Sequence, residues 1–327
     1  MSKGWSADDI TDQTGRTAVV TGGNSGIGLI TARELLRHGA RVIIACRNEN
    51  KGQAAVEQIA SELGTPGVAA GIEVRKLDLA SLDSVRTFAE SVDTDLPDGL
   101  DLLINNAGVM APPRMLTDDN FELQFGTNHL GHFALTGRLF DTLKRKPGAR
   151  VVTISSVAAN AGKLNFDDLQ SVDGYSRWRA YGQSKLANLV FAMDLQSLIR
   201  QAGLDMASIA AHPGVSNTNL TSAGNDLDSG WFGLVSKPFL ALSDLLIAQD
   251  AEHGALPTLF AATEPGLTGG EYIGPDGLRQ FRGSPTIVAP RRVALDSKVG
   301  DRLWQASTEL TGVEYDFSPA SPAEPST

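Results

Sequence analysis

One cysteine in 327 residues, Cys46, excludes an intramolecular disulfide and any metal site built from several thiolates. A reducing, cytoplasmic setting is the matching expectation. Long apolar runs are also missing. The nearest candidate for a bilayer span, residues 231–248, is broken by Lys237, Pro238 and Asp244, so no span is expected, although the stretch is greasy enough for peripheral membrane contact. Basic residues are in the minority, 28 against 38 acidic ones, for a formal charge of −10. That balance repels nucleic acid and anionic lipid at long range. The first 15 residues are polar and acidic, without the basic start and apolar centre of a secretion signal. Aromatic residues make up only 6% of the chain, with 4 Trp and 4 Tyr.

What the chain does have is 42% hydrophobic content, enough for a large core. Short apolar runs at residues 18–20, 42–45, 102–104, 151–154 and 207–210, with a weaker one at 74–77, alternate with amphipathic stretches at 27–37, 53–63, 85–92 and 133–143. This alternation predicts an α/β fold with a doubly wound parallel sheet covered by helices on both faces. A single domain over residues 15–315 is expected, between an N-terminal tail (1–14) and a disordered Pro/Ser-rich C-terminal tail (316–327).

The glycine cluster Gly22, Gly26 and Gly28 follows the first apolar run and opens the first helical stretch. In that position glycines let the backbone approach a pyrophosphate, and the helix N-terminus offers unpaired N–H groups. Asn24, Ser25 and Ile27 lie in the same loop. Arg47 stands nineteen residues beyond Gly28, with Cys46 and Asn48 beside it and no carboxylate. An acidic residue there would hold a ribose 2′-hydroxyl, whereas arginine accepts a 2′-phosphate, so NADP is favoured, with NAD as the second option.

Tyr181 and Lys185 are four residues apart and so share a helix face. A free phenol with a pKa near 10 is only about 0.1% ionised at neutral pH, and a neighbouring ammonium is the means to lower that value. Ser184 and Asn188 lie on the same face, while Leu186, Leu189, Val190 and Met193 form a second, apolar stripe. Ser155 and Ser156 end the fifth apolar run, and adjacent residues of a strand point to opposite sides.

Together with Asn105-Asn106-Ala107-Gly108 after the fourth run, this set resembles the short-chain dehydrogenase/reductase family over residues 15–277. The glycine spacing is that of its classical members, and the segments 106–110, 125–133 and 181–188 are most similar to the retinol-dehydrogenase-like subgroup and its bacterial relatives. The resemblance implies a Rossmann-type sheet of about seven strands with a C-terminal substrate lid at 215–250. It implies Tyr181 as general acid/base, Lys185 as the group that tunes the phenol and binds the nicotinamide ribose, Ser156 on the substrate oxygen and Asn128 on a water leading to Lys185. Asp78 and Leu79 would contact adenine; Asn106, Ala107 and Gly108 would back its ribose. Pro213, Gly214, Val215 and Thr218 would face the nicotinamide.

His129 and His132 lack a third metal ligand nearby in sequence, so packed imidazoles and no metal are expected. Residues 158–179, with Phe166, Tyr175 and Trp178, and residues 222–248, with Trp231, Phe232 and Phe239, stand outside the regular alternation. Apolar walls there favour a lipophilic small-molecule substrate, and the same surfaces suit a homo-oligomer contact. The expected reaction is alcohol–ketone or alcohol–aldehyde interconversion with NADP. The alternatives are a double-bond reductase resembling the protochlorophyllide reductases and a non-catalytic NADP-binding sensor or scaffold.

Overall fold

The computed structural model describes residues 4–64, 68–215 and 250–319. Each apolar run becomes a strand and each amphipathic stretch a helix. Strands β1 (Thr17–Thr21), β2 (Arg41–Cys46), β3 (Ile72–Lys76) and β4 (Leu102–Asn105) are linked by helices α1 (Gly26–Arg37), α2 (Glu49–Leu63) and α3 (Leu82–Asp95). A broken helical run follows: α4 (Leu123–Phe125), a π turn (Gly126–Leu130), α5 (Gly131–Arg138) and α6 (Phe140–Lys144). Then come β5 (Ala149–Ile154), α7 (Arg177–Gln201), β6 (Met206–Ala211), α8 (Ala251–Thr263), β7 (Tyr272–Pro275), β8 (Pro285–Ile287) and α9 (Ser297–Thr311).

The sheet order is β3-β2-β1-β4-β5-β6-β7-β8, parallel throughout except for the antiparallel β7–β8 pair. It has eight strands where about seven were expected; β8 is only three residues long, too short for a period-two pattern to show. The helical stretch expected over 133–143 is interrupted at Leu139, whose backbone sits at φ −94°, ψ 4°.

Burial on both faces explains why the strands read as continuous apolar runs rather than alternating ones. Ala18 and Val20 pack with Ile44 and Leu259 on one side, while Val19 packs with Ile43, Val85 and Phe133 on the other. Residues 4–14, expected as a tail, join this core: Ile10 and Gln13 are buried and Trp5 meets Phe260 edge-on at 5.3 Å. At the other end Phe317, expected within the C-terminal tail, stacks on Tyr315.

The few aromatic rings are concentrated where α9 and the segment after it close over α5 and α7. Phe133, Phe191, Trp304 and Tyr315 sit with centroids 4.7–6.0 Å apart, and the Tyr315 hydroxyl donates to the Phe133 carbonyl at 2.6 Å. Phe133→Ala removes a ring that meets Phe191, Trp304 and Tyr315 and should cost about 3–5 kcal/mol, read from urea denaturation. A loss below ~1 kcal/mol would show that the cluster contributes little to the fold.

Candidate active site

Strands β1, β4, β5 and β6 all end on one edge of the sheet, and the loops that follow them converge there. After β1 the chain turns through Gly22 (φ +66°) and Gly26 (φ +53°), both in the left-handed region that glycine occupies without strain. A side chain at Gly28 would run into the Gly22 carbonyl and the Asn106 amide, so this turn closes only around a bare backbone. The first turn of α1 carries no acidic residue, and the Ser25 side chain makes no capping bond to it. The helix N-terminus therefore keeps its N–H groups and positive potential for an anion. A loop with these φ values, a glycine cradle and an uncapped helix start fits a dinucleotide pyrophosphate, with Asn24, Ser25, Gly26 and Ile27 as the residues that would hold it.

Thr21, the last residue of β1, organises the next layer. Its hydroxyl accepts from the backbone N–H groups of Asn106 and Ala107, each at 2.9 Å, and lies 2.9 Å from His132 Nε2. His132 Nδ1 faces the Asn128 carbonyl at 2.9 Å. A carbonyl only accepts, so Nδ1 carries the proton and Nε2 accepts from Thr21. Asn106 Nδ2 donates to the Thr21 carbonyl at 2.8 Å. The cradle, the 106–108 loop and the π turn are thus fixed to one another. Nothing in the sequence singled Thr21 out beyond its place just before the glycines.

The Asn128 side chain reaches the same loop, accepting from Val109 N at 2.8 Å and donating to the Val109 carbonyl and to Ser184 Oγ, each at 3.0 Å. These bonds leave its amide occupied by protein groups. Gly108 passes close to Asn128 Oδ1, so a side chain there would press on the Asn128 amide.

Helix α7 carries Tyr181, Ser184, Lys185 and Asn188 on one face and Leu186, Leu189, Val190 and Met193 on the other, with all of them buried. Ser156, two residues past β5, faces the Tyr181 phenol. Ser155 turns the other way, donating to the Lys185 carbonyl at 2.8 Å and meeting the Tyr272 phenol. Lys185 Nζ donates to the Ile154 carbonyl at 3.1 Å and lies 6.0 Å from the Tyr181 ring centre. Asn188 Nδ2 donates to that same carbonyl at 3.1 Å.

Burial pushes the Lys185 ammonium down to about 8. It pushes the Tyr181 phenol up, against the opposing effect of Ser156. The lowered phenol expected from the Tyr/Lys spacing is therefore not what this arrangement produces. Loss of water is the larger effect on the phenol, and the ammonium is engaged by the Ile154 carbonyl. Near the phenol, Trp178 stays 59% exposed with its ring 6.1 Å from that of Tyr181. The other aromatics of its segment serve the scaffold: the Tyr175 hydroxyl donates to the Pro112 carbonyl, and Phe166 lies under the Arg302 guanidinium.

Arg47 is exposed just past β2. Beyond β3, the Asp78 carboxylate accepts from Ala80 N at 3.0 Å, and Leu79 is buried. Pro213, Gly214 and Val215 lie just past the end of β6. Thr218 and nearly all of the expected lid, with Trp231, Phe232 and Phe239, lie outside the described residues. His129 and His132 do not share a ligand position: His129 Nε2 pairs with Ser307 Oγ at 2.9 Å. Among the described residues no group of three or more His, Cys, Asp or Glu is placed to hold a metal ion.

Burial pushes the imidazoles of His129, His132 and His212 down from 6.5 to about 3, 4 and 4. Below pH 6.5 the unfolded chain takes up protons that these rings refuse. Their contribution to stability is thus complete above 6.5 and is lost as pH falls toward 4, by up to ~1.4 kcal/mol per pH unit for each ring. Urea midpoints should drop between pH 7 and pH 5; equal midpoints would mean that the native rings accept protons.

A family model described as short chain dehydrogenase matches residues 16–227. Retinol dehydrogenase 12 of Homo sapiens is 42% identical over 304 residues, covering 92% of this chain and 88% of that protein. A crystal structure of an uncharacterized protein from Mycobacterium paratuberculosis is 42% identical with a TM-score of 0.77, covering 96% of this chain and 100% of its own. The RhlG/NADP active-site complex of Pseudomonas aeruginosa matches with a TM-score of 0.58 at 25% identity, over 80% of this chain and 94% of that one. The chain belongs to the short chain dehydrogenase family, and as such is an NAD(P)-dependent oxidoreductase acting on CH–OH groups.

Proposed function

We propose that the protein uses NADP to interconvert a lipophilic alcohol and its ketone or aldehyde, with Tyr181 as the acid–base group. The observation that carries this reading is that Ser156 and the Tyr181 phenol face each other, one helical turn from the buried Lys185. A substrate oxygen placed between Ser156 Oγ and the phenol would be held by one hydroxyl and protonated or deprotonated by the other. Charge then never accumulates on a bare alkoxide. The nicotinamide, when bound, supplies or accepts the hydride. Lys185, one turn from the phenol, would bond the nicotinamide ribose and hold positive charge near the phenol oxygen.

Two features support the choice of NADP. Arg47 stands exposed at the carboxyl end of β2, where a 2′-phosphate would lie, and residues 46–48 offer no carboxylate. One solved structure similar to this chain is a complex with NADP. The lipophilic substrate rests on the exposed Trp178 beside the phenol and on the relative named for retinol, a long apolar alcohol.

Tyr181→Phe should lower turnover about 10²–10⁴-fold while the dissociation constant for NADPH, followed by its fluorescence, moves less than about threefold, a shift of only ~0.7 kcal/mol. A variant with normal turnover would remove Tyr181 from the chemistry. Arg47→Asp should invert the cofactor preference, weakening NADPH at least about tenfold and strengthening NADH. Unchanged affinity for both would place the 2′-phosphate elsewhere.

A further inference from the structure

Among the described residues, the turn after β6 is bonded to the β7–β8 hairpin and its loop. His212 N donates to the Ile273 carbonyl of β7 at 2.9 Å, and Val215 N donates to the Phe281 carbonyl at 2.9 Å. Between them, Gly214 N donates to His212 Nδ1 at 3.2 Å. That bond makes Nδ1 the unprotonated nitrogen, so Nε2 carries the hydrogen and donates to Gln280 Oε1 at 3.2 Å. The imidazole is 1% exposed and seated directly on Gly274, where any side chain would collide with it. Gly214 itself lies at φ +70° with the Phe281 carbonyl against its open face. Hairpin β7–β8 and its loop thus grip residues 212–215 at three points.

The loop that supplies this grip is strained. Arg279 and Gln280 both adopt left-handed backbone, at φ 52° and 60°, a conformation that costs any residue with a Cβ. Packing of the loop tip does not impose it, since Leu278 is 85% exposed. Strain of this kind persists only where the surroundings determine it. The pair sits in a turn closed by Gln280 N on the Gly277 carbonyl and Gly277 N on the Arg282 carbonyl, and the Gln280–His212 and Phe281–Val215 bonds tie that turn back to the segment after β6.

We infer that Gln280 and His212 are positioning residues for the nicotinamide end of the cofactor: the β7–β8 loop spends backbone strain to fix the Pro213-Gly214-Val215 turn through them. The inference rests on the assignment of this turn to the nicotinamide side. It goes beyond that assignment in naming a loop outside the glycine cradle and the Tyr/Lys helix, and an imidazole with no part in proton transfer, as determinants of cofactor binding. The latch acts at one end only, so fragments that lack nicotinamide should not sense it.

Two substitutions separate the latch from the fold. Gln280→Gly relieves the left-handed strain but removes the acceptor for His212, and Gln280→Met keeps the bulk while removing that acceptor. Binding of NADPH and of adenosine 2′,5′-bisphosphate, which lacks nicotinamide, is measured by titration calorimetry, and melting temperature by calorimetric scan. The expected result is that NADPH affinity falls at least about fivefold in both variants, equivalent to ~1 kcal/mol. Affinity for the bisphosphate should stay within about twofold, and the Gly variant should melt no lower than the parent. If the parent binds NADPH and both variants bind it equally well, the latch is refuted while the cofactor assignment stands. Loss of both ligands in parallel would make Gln280 a general fold residue and also refute it. A parent that binds neither ligand overturns the cofactor reading and the latch with it.

Discussion

The Thr21 hydroxyl is the joint on which the site is assembled. It is a single oxygen at the end of the first strand. Two backbone N–H groups of the 106–108 loop converge on it, and it reaches the imidazole of His132. Parallel strands end in unconnected loops, and their sheet gives no reason for those loops to hold fixed distances from one another. Thr21 supplies one. Through it the glycine turn after β1, the loop after β4 and the π turn carrying Asn128 become parts of one surface. Asn128 extends that surface to α7 by way of Ser184. Removing the hydroxyl would leave the Ala107 N–H and the buried His132 imidazole short of a partner, and orphaned groups of this kind are expensive.

Much of the architecture was legible because buried parallel strands leave continuous apolar runs. All six runs read from the sequence fall in strands, and the glycine turn and the Tyr181/Lys185 helix occupy the places their spacing implied. What escaped was of two kinds. Strands β7 and β8 are four and three residues long and rich in Gly and Pro, so neither period nor propensity marks them. The tethering residues, Thr21, His132, His212 and Gln280, act through partners far away in sequence, such as the 111-residue separation of Thr21 and His132. Local spacing carries no trace of such pairs. The N-terminal segment was misread for a similar reason: Trp5, Ala7 and Ile10 are scattered among polar residues, and only the folded core shows that they pack against it.

The same burial that makes the site orderly makes its central phenol a reluctant acid. Tyr181 is 7% exposed and Lys185 5%, and withdrawal from water disfavours the charged form of each. Two groups that must carry opposite charges to cooperate are held in surroundings that favour both as neutral species. Ser156 adds the one hydrogen bond that favours the phenolate.

The π turn at Gly126–Leu130 inserts an extra residue into one helical run. Positions before and after it consequently belong to different angular frames, offset by roughly 100°. Asn128 ties the turn to the loop after β4 and to α7, while Phe133, five positions on, anchors the aromatic cluster. The two tasks are thereby uncoupled along a single stretch of chain. Substitutions that adapt the cleft on one side of the turn need not disturb the packing on the other, which leaves the site free to diverge while its support is held constant.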